Sequence, residues 1–467
     1  MTAEERSIML GTMDVKRLVF KLAIPAIIAM FANALYNLVD TLFVAWDSGE
    51  IAIGALAIAF PVQLVILALG LMIGIGSASI FSRAYGRGDA ETMKRSVMTA
   101  LTMTLFISST LTVLGLIFLN PLLRLFGATA SNIGFARDYL GFIMISLIPY
   151  SGSLVLTNLT RAEGRAGIAM KSLLIGAIVN IVLDPIFIFP SLLGIPLLDL
   201  GVTGAAIATL IAKTLAFAYI LYHALSKDSA LMINLRYIFK IDMKMVLEIF
   251  TIGMPTFIRN VLGAVLVIIV NQLINQYAPN DPAIYISIYG VITRLITFLL
   301  LPGIGLVQGL QPIVGFNYGA KKIGRLMQSI TFSLLLITIY FFTMSGITVL
   351  FSESFFVLFS RDADAFFIAE GGRAFRIIAL GFGLIGFQIM MSSIYQAMGD
   401  AKRALFIALL RQFILFVPLA FIFSSLFGLN GIWLTFVVAD ALAGLISVAF
   451  YFHQAKQFKR ELGVVPT

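Results

Sequence analysis

The stretch GLMIGIGSASIFSRAYG, residues 70–86, returns as GIGLVQGLQPIVGFNYG at residues 303–319. Gly70, Gly76, Tyr85 and Gly86 in the first copy stand where Gly303, Gly309, Tyr318 and Gly319 stand in the second, at one constant offset. Both copies close a long apolar run and lead into a basic loop. Other echoes keep the same order. AIPAII around Pro25 corresponds to GMPTFI around Pro255, RAEGRA around Gly164 to QAMGDA around Gly399, and GVTGAA (Gly201, Gly204) to GLNGIW (Gly428, Gly431). Ordered self-similarity of this kind marks a chain built from two copies of one structural unit.

Composition says what that unit is made of. Of 467 residues, 60% are hydrophobic and only 12% charged, where a soluble domain carries about 25% charged residues. So much apolar surface cannot be hidden in a water-facing globule, and the chain reads as a polytopic membrane protein. Twelve apolar segments are long enough to cross hydrocarbon: 16–46, 51–82, 96–119, 137–160, 168–190, 200–225, 246–276, 283–316, 327–351, 372–398, 404–427 and 431–455. Six of them separate the two copies, so both copies share one orientation, related by an axis along the membrane normal. The expected fold is therefore an all-α membrane protein of twelve transmembrane helices in two pseudo-symmetric six-helix bundles. Residues 1–225 form the first bundle, 226–245 a linker loop, and 246–467 the second.

The formal charge of +9 is a topology signal. Arg83, Arg87, Lys94 and Arg95, Arg161 and Arg165, Lys227, Arg236 and Lys240, and Lys321, Lys322 and Arg325 fall in loops on the side of the termini. The opposite loops hold little beyond Arg124, Arg137, Arg361, Arg373 and Arg376. This asymmetry puts both termini in the cytoplasm and the chain in the cell membrane, and it leaves no role for nucleic acid. The lead-in MTAEERSIMLGTMDVKR is short and amphipathic rather than a cleavable signal. No cysteine is present, which excludes disulfides, thiolate metal sites and cysteine nucleophiles. His223 and His453 sit near the ends of apolar segments and read as interfacial side chains. No phosphate-binding G-x-x-x-x-G-K-[ST] loop occurs, which argues against ATP-driven chemistry. The chain reads as a transporter, not an enzyme, with membrane lipids and amphiphilic small molecules as its partners and no second subunit required.

An ionisable residue within a membrane span costs about 2.5–3.5 kcal/mol on insertion scales, so each one asks for a reason. In FANALYNLVDTLFVAW, residues 31–46, Asn33, Tyr36, Asn37 and Asp40 recur at i, i+3, i+4 and i+7, one polar stripe on an apolar cylinder. Asp40 lies six residues before Trp46, and Asp184 six before Pro190, near the outer ends of segments one and five. Both carboxylates are thus expected about 9 Å below those ends. Asn180 shares the face of Asp184, and Thr203 lies at a compatible depth on segment six. Asp40, Asn180, Asp184 and Thr203 form a candidate all-oxygen cluster that suits Na⁺ or H⁺, with Asn33, Tyr36 and Asn37 as a wet wall beside it. Pro25 and Pro185 each remove a backbone donor and are candidate hinges. At the place of Asp40 the second bundle has Val270 and Asn271. It carries Arg259, Arg294, Arg411 and Asp440, for which arginine–aspartate pairing is the ordinary expectation. Glu248 and Lys213 receive no role. The 19 methionines and 40 phenylalanines suit a cavity for greasy cations.

LYNLVDTLFVA, SRAYGRGD after the second segment, the pairing of ALYNLVD with NIVLDPIFIF, and the FNYGAKK echo together resemble the multidrug and toxic compound extrusion (MATE) transporters. The likeness runs from about Lys16 to Arg460, and within the family it points to the DinF-like branch. That resemblance implies essential carboxylates in the first lobe, matched here by Asp40 and Asp184, with Asn180 and Thr203 as the cation-site amide and hydroxyl. It also implies a hydrogen-bonding tyrosine at Tyr139, and a first helix that bends near Pro25 when Asp40 is protonated. The implied activity is export of organic cations and amphiphilic drugs against H⁺ or Na⁺, with no cofactor. The acids of helices seven and ten used by the NorM-type branch are missing. Two other readings stay open: a lipid or lipid-linked oligosaccharide flippase of the same superfamily, and a non-transporting scaffold or receptor.

Overall fold

A computed structural model describes residues 1–129, 132–192, 195–234, 242–279, 281–357 and 365–463. Arg236, Lys240 and Arg361, and the middle of the expected linker, lie outside the described residues. The first half comprises α1 (Ala3–Thr12), α2 (Val15–Arg87), α3 (Ala90–Ile117), α4 (Leu119–Leu125), α5 (Ile133–Ala162) and α6 (Ala166–Ile188). A short antiparallel pairing of β1 (Ser191–Leu192) with β2 (Ile195–Pro196) then leads to α7 (Gly201–Ala224). The second half comprises α8 (Met243–Tyr277), α9 (Pro282–Gly319), α10 (Ile323–Val357), α11 (Ala365–Ala379), α12 (Phe382–Met398) and α13 (Ala401–Leu409). A π-helical turn at Leu410–Leu415 joins α13 to α14 (Phe416–Phe427), and α15 (Leu429–Glu461) closes the chain.

Among the described residues, eleven spans are long and apolar enough to cross a membrane, and a bent pair of helices makes the twelfth. The expected spans one and two both lie within α2, as Val15–Val44 and Ile58–Arg87. Aspartates start many of these helices. Asp14 accepts from the Arg17 amide, Asp89 from Thr92, Asp281 from Ala283 and Asp400 from Arg403, each over 3.0–3.1 Å, satisfying donors that have no intrahelical partner. The bonds from Thr92 hold the Asp89 carboxyl below the ordinary aspartate range.

Two expected single spans are broken. Residues 372–398 were expected to form one helix, yet α11 and α12 meet at an angle of 50°. At the break a Cβ on Gly381 would lie 2.9 Å from the Val437 Cα, so α15 presses against the bend. The Ala379 carbonyl there is taken by Ser345 Oγ at 2.6 Å. Residues 404–427 contain the π-helical turn. Pro418 has no N–H for the Ile414 carbonyl, and its ring crowds that carbonyl, which favours a wider turn just upstream. Pro25 and Pro185 both lie inside helices that continue through them.

The repeated glycines are the surfaces on which the two halves meet. A Cβ on Gly86 would collide with the Phe316 carbonyl, and one on Gly319 with the Arg83 carbonyl. These two glycines are each other's repeat partners, so the contact is reciprocal, as pseudo-twofold symmetry requires. Gly76 and Gly253 meet the backbone at Ile249 and Met72 in a similar exchange between α2 and α8. Polar links across the same seam are Arg83 to Glu248 at 3.1 Å, Ser79 Oγ to the Gln396 carbonyl at 2.6 Å, and Arg161 to Gln308. A cavity of about 330 Å³ lined by Ser79, Asn158, Arg161, Gln308 and Gln311 lies within the seam.

The lead-in forms α1, and it straps the halves together at the face bearing the termini. Arg6, buried, reaches Glu163 at 3.4 Å and the Asp228 carbonyl. Tyr85 donates to the Ala3 carbonyl. From the other half, Asn317 donates to Leu10 O at 3.3 Å, Lys322 to Gly11 O at 2.9 Å, and Arg325 to Met13 O. Away from this face the apolar core divides into one cluster built from residues 44–206 and another from residues 270–439. The halves are therefore sealed at the terminal face.

Candidate functional site

Three helices of the first half converge on two carboxylates. Asp40 on α2 is 7% exposed and Asp184 on α6 is fully buried. One turn before Asp184, Asn180 (1% exposed) donates to Asp184 Oδ1 at 2.9 Å. The same amide reaches Thr209 Oγ1 on α7 at 3.4 Å. Asp184 and Asp40 lie within electrostatic reach of each other. After these bonds, Asp40 Oδ1, Asp184 Oδ2 and Asn180 Oδ1 remain buried acceptors with no partner. Buried acceptors are normally paired, so three together make a place for a positive guest. The donor set is all oxygen and fits H⁺ or Na⁺. Among the described residues, no group of three or more histidine or acidic side chains could form a conventional metal centre.

Lys213, one turn beyond Thr209 on α7, acts electrostatically on Asp40. Its Nζ sits 4.1 Å from the centre of the Tyr150 ring, over the face, a cation–π contact. Asn33, Tyr36, Tyr150, Asn180, Thr209 and Lys213 line a cavity of about 470 Å³, and Asn180 links it to Asp184. Tyr139 is buried and its hydroxyl accepts from Gln63 Nε2 at 3.2 Å. Tyr36 lies within electrostatic reach of Asp40, Tyr139 and Tyr150.

The structure thus brings together Asp40, Asp184, Asn180, Asn33, Tyr36 and Tyr139. Two expected members stand apart. Thr203 is half-buried and makes no side-chain hydrogen bond among the described residues; Thr209 makes the bond in its stead. Six residues advance a helix by one and two-thirds turns, which places Thr203 about 120° around α7 from Thr209. Asn37 is exposed and donates to the Asn33 carbonyl at 2.7 Å, so its amide is spent on its own helix. Thr209, Lys213, Tyr150 and Gln63 escaped the sequence reading. A lone lysine in the apolar run of α7 was the one available signal.

The second half has no such acid cluster among its described residues. Its buried acid, Asp440, is gripped by Arg411 through both carboxylate oxygens, Nη2 to Oδ2 at 3.4 Å, the ordinary pairing expected for these residues. Glu248 belongs to the seam with Arg83.

A helical membrane protein of two parallel repeats, with a buried titratable cluster opening on a cavity, has the architecture of a transporter. The MatE family profile matches residues 25–186 and 255–422, and the chain belongs to the MatE family, whose members are transporters and not enzymes. It is 26% identical over 426 residues to the multidrug export protein MepA of Staphylococcus haemolyticus, across 91% of each chain. It is 25% identical over 430 residues to MepA of Staphylococcus saprophyticus, across 92% of each. A solved outward-facing multidrug resistance MATE family transporter of the MOP superfamily superposes with a TM-score of 0.89 at 24% identity, over 97% of this chain and 98% of that one. The fold is the MATE fold.

Proposed function

We propose that this protein is a proton-coupled antiporter of the cell membrane that exports amphiphilic organic cations and drugs as a monomer. Its lobes are residues 1–225 and 246–467, joined by a cytoplasmic loop at 226–245, with both termini cytoplasmic. The observation that carries this reading is the set of three unpartnered oxygens around Asp40 and Asp184 beside the 470 Å³ cavity. The likeness to MepA, a multidrug exporter by name, supports the substrate class. A pair of buried carboxylates without an arginine partner in the first lobe, Asp40 and Asp184, supports the DinF-like branch. The glycine seam and α1 close the face that bears the termini, and with the termini cytoplasmic this supports an outward-facing state.

The mechanism follows from the cost of buried charge. Two carboxylates in a closing, drier lobe are expensive unless neutralised. External protons neutralise them, α2 is then free to bend at Pro25, the cavity shrinks, and the substrate leaves outward. Ion and substrate must prefer different states, because a ligand of equal affinity for both shifts nothing. Lys213 acts electrostatically on Asp40 and opposes any added cation there; H⁺ is favoured over Na⁺ because a proton needs one carboxylate oxygen, whereas a hard metal ion needs a fuller shell of oxygen ligands than the three unpartnered ones.

The test is ethidium transport by the full-length protein in proteoliposomes, with pH and Na⁺ gradients imposed independently. Transport should follow the pH gradient and ignore Na⁺. Transport driven by Na⁺ alone would overturn the choice of ion, and no flux under either gradient would overturn the antiporter itself. In the same assay Thr209→Val should slow transport severalfold, in line with about 1 kcal/mol for one buried hydrogen bond, whereas Thr203→Val should leave it near wild type. Equal effects of the two would remove Thr209 from the site.

A further inference from the structure

Arg259 is a cation without a counter-ion among the described residues. It lies in the middle of α8, half-buried, and makes no ion pair or hydrogen bond among the described residues. Arg411 cannot release a carboxylate to it, because Arg411 already holds both oxygens of Asp440. The position of Arg259 on α8 is interior. It stands eleven residues before Val270, three helical turns, so the two share a face, and Val270 is fully buried inside the second bundle. Gly263 continues that face one turn on, and the Gln412 amide nitrogen lies 3.8 Å from where its Cβ would be. Gln412 Oε1 is buried without a partner. Arg411 and Gln412 both stand on the π-helical turn, a feature found often at functional sites.

The repeat gives this place a meaning. In the registration that pairs Gly201 with Gly428, Lys213 corresponds to Asp440. Pairing Gly164 with Gly399 makes Gly176 correspond to Arg411, and pairing Pro25 with Pro255 makes Asn33 correspond to Gly263. Asn33, Gly176 and Lys213 all line the first-bundle cavity. The neighbourhood of Arg259 is therefore the symmetry mate of that cavity with its charge reversed. One holds two carboxylates against one ammonium, the other two guanidinium groups against one carboxylate.

We propose that the second bundle holds a subsite for the acidic head group of an amphiphile, a carboxylate, sulfonate or phosphate, centred on Arg259 with the Gln412 amide as a second donor. The planar guanidinium offers a paired donor fork to such a group, and the guest supplies a counter-charge that none of the described residues provides. The subsite rests on the export reading and widens it from cations to zwitterionic and acidic amphiphiles.

Equilibrium binding tests this independently of transport. Full-length protein in phosphatidylcholine nanodiscs is titrated with 11-dansylaminoundecanoate, a carboxylate probe, and with dansylcadaverine, a cationic one. Arg259→Gln should shift the ratio of the two affinities about tenfold against the carboxylate, the scale of one charge-assisted pair, and Arg259→Lys should shift it less. Gln412→Leu, a milder change that spares the arginine, should shift it in the same direction. An unchanged ratio in Arg259→Gln, or equal loss of both probes in every variant, would overturn the proposal. Adding phosphatidylglycerol identifies the source. Displacement of the carboxylate probe from wild type points to a lipid phosphate, and its absence to a free amphiphile; either result leaves the acidic head group as the guest.

Discussion

Asp184→Asn and Asp40→Asn should each reduce concentrative export under a pH gradient to background, while substrate binding in nanodiscs stays within about threefold of wild type. Asparagine matches the shape of a protonated aspartate and stays neutral at every pH. The variant keeps the packing and loses the titration. Asp184 is the stricter case because it is fully buried and its Oδ1 takes the Asn180 amide at 2.9 Å. An amide there can still accept that bond, so the fold should persist. The ion-binding step is lost, since the unpartnered Oδ2 is where a proton would reside. Coupling is a difference in ion affinity between two states, and a site that never exchanges its proton has no such difference. Initial rates in proteoliposomes with an imposed pH gradient make the measurement. Either variant exporting at more than half the wild-type rate would remove that carboxylate from the coupling step. Binding that disappears together with transport would indicate a damaged cavity.

Gly86→Val should reduce export to a small fraction of wild type by a different route, opening the seam between the halves. The new side chain would occupy the space of the Phe316 carbonyl, which is backbone and cannot swing aside. Overpacking costs about 1–3 kcal/mol in the conformer that contains the clash. The opposite conformer, in which the halves separate at this face, carries none of that cost. A one-sided penalty of this size shifts a two-state equilibrium on the order of 5–150-fold. The chain contains no cysteine, so spin labels can be placed in an otherwise native background at Ala90→Cys and Gly324→Cys, both exposed near the seam. The label-to-label distance should lengthen in Gly86→Val. Gly319→Val, its repeat mate, should reproduce the shift. Gly88→Ala provides a control, since nothing lies within 4 Å of its Cβ position and only its positive φ of 72° opposes the change. Unchanged distances in both valine variants would show that the seam yields without separating.

These two predictions draw on the sequence to different degrees. Asp40, Asn180 and Asp184 could be placed together from the linear chain alone. Position along a helix is a count of residues, at about 1.5 Å each, and depth in a membrane can be counted inward from an interfacial residue. The same counting chose Thr203, and the structure puts Thr209 against Asn180. Depth was legible, but the rotation of α7 about its own axis was not, because rotation is set by the packing of small residues such as Gly204 against the α6 backbone at Phe187. Asn37, on the edge of the same stripe, spends its amide on the Asn33 carbonyl of its own helix. A stripe at i, i+3, i+4 and i+7 spans enough of the helix circumference that one edge can leave the cavity. Lys213 could be seen as a cation in an apolar run, yet its role depends on Asp40 and Tyr150 from two other helices.

The seam carries the same lesson. Gly76, Gly86 and Gly319 were visible as matched letters, and the match established two parallel copies of one unit. That these glycines are where the copies touch follows only from helices close enough for a Cβ to strike a carbonyl. α1 read as an amphipathic lead-in, and its bonds to Glu163, Asn317, Lys322 and Arg325 join residues far apart along the chain. By itself the sequence determined a membrane protein of two like-oriented six-helix units with Asp40 and Asp184 in the first, because hydrophobic length, charge asymmetry and repetition are properties of a line. Tertiary structure alone decided which hydroxyl completes the cluster, which lysine answers Asp40, and that Arg259 has no ion-pair partner among the described residues, because those depend on how neighbouring helices are turned toward one another.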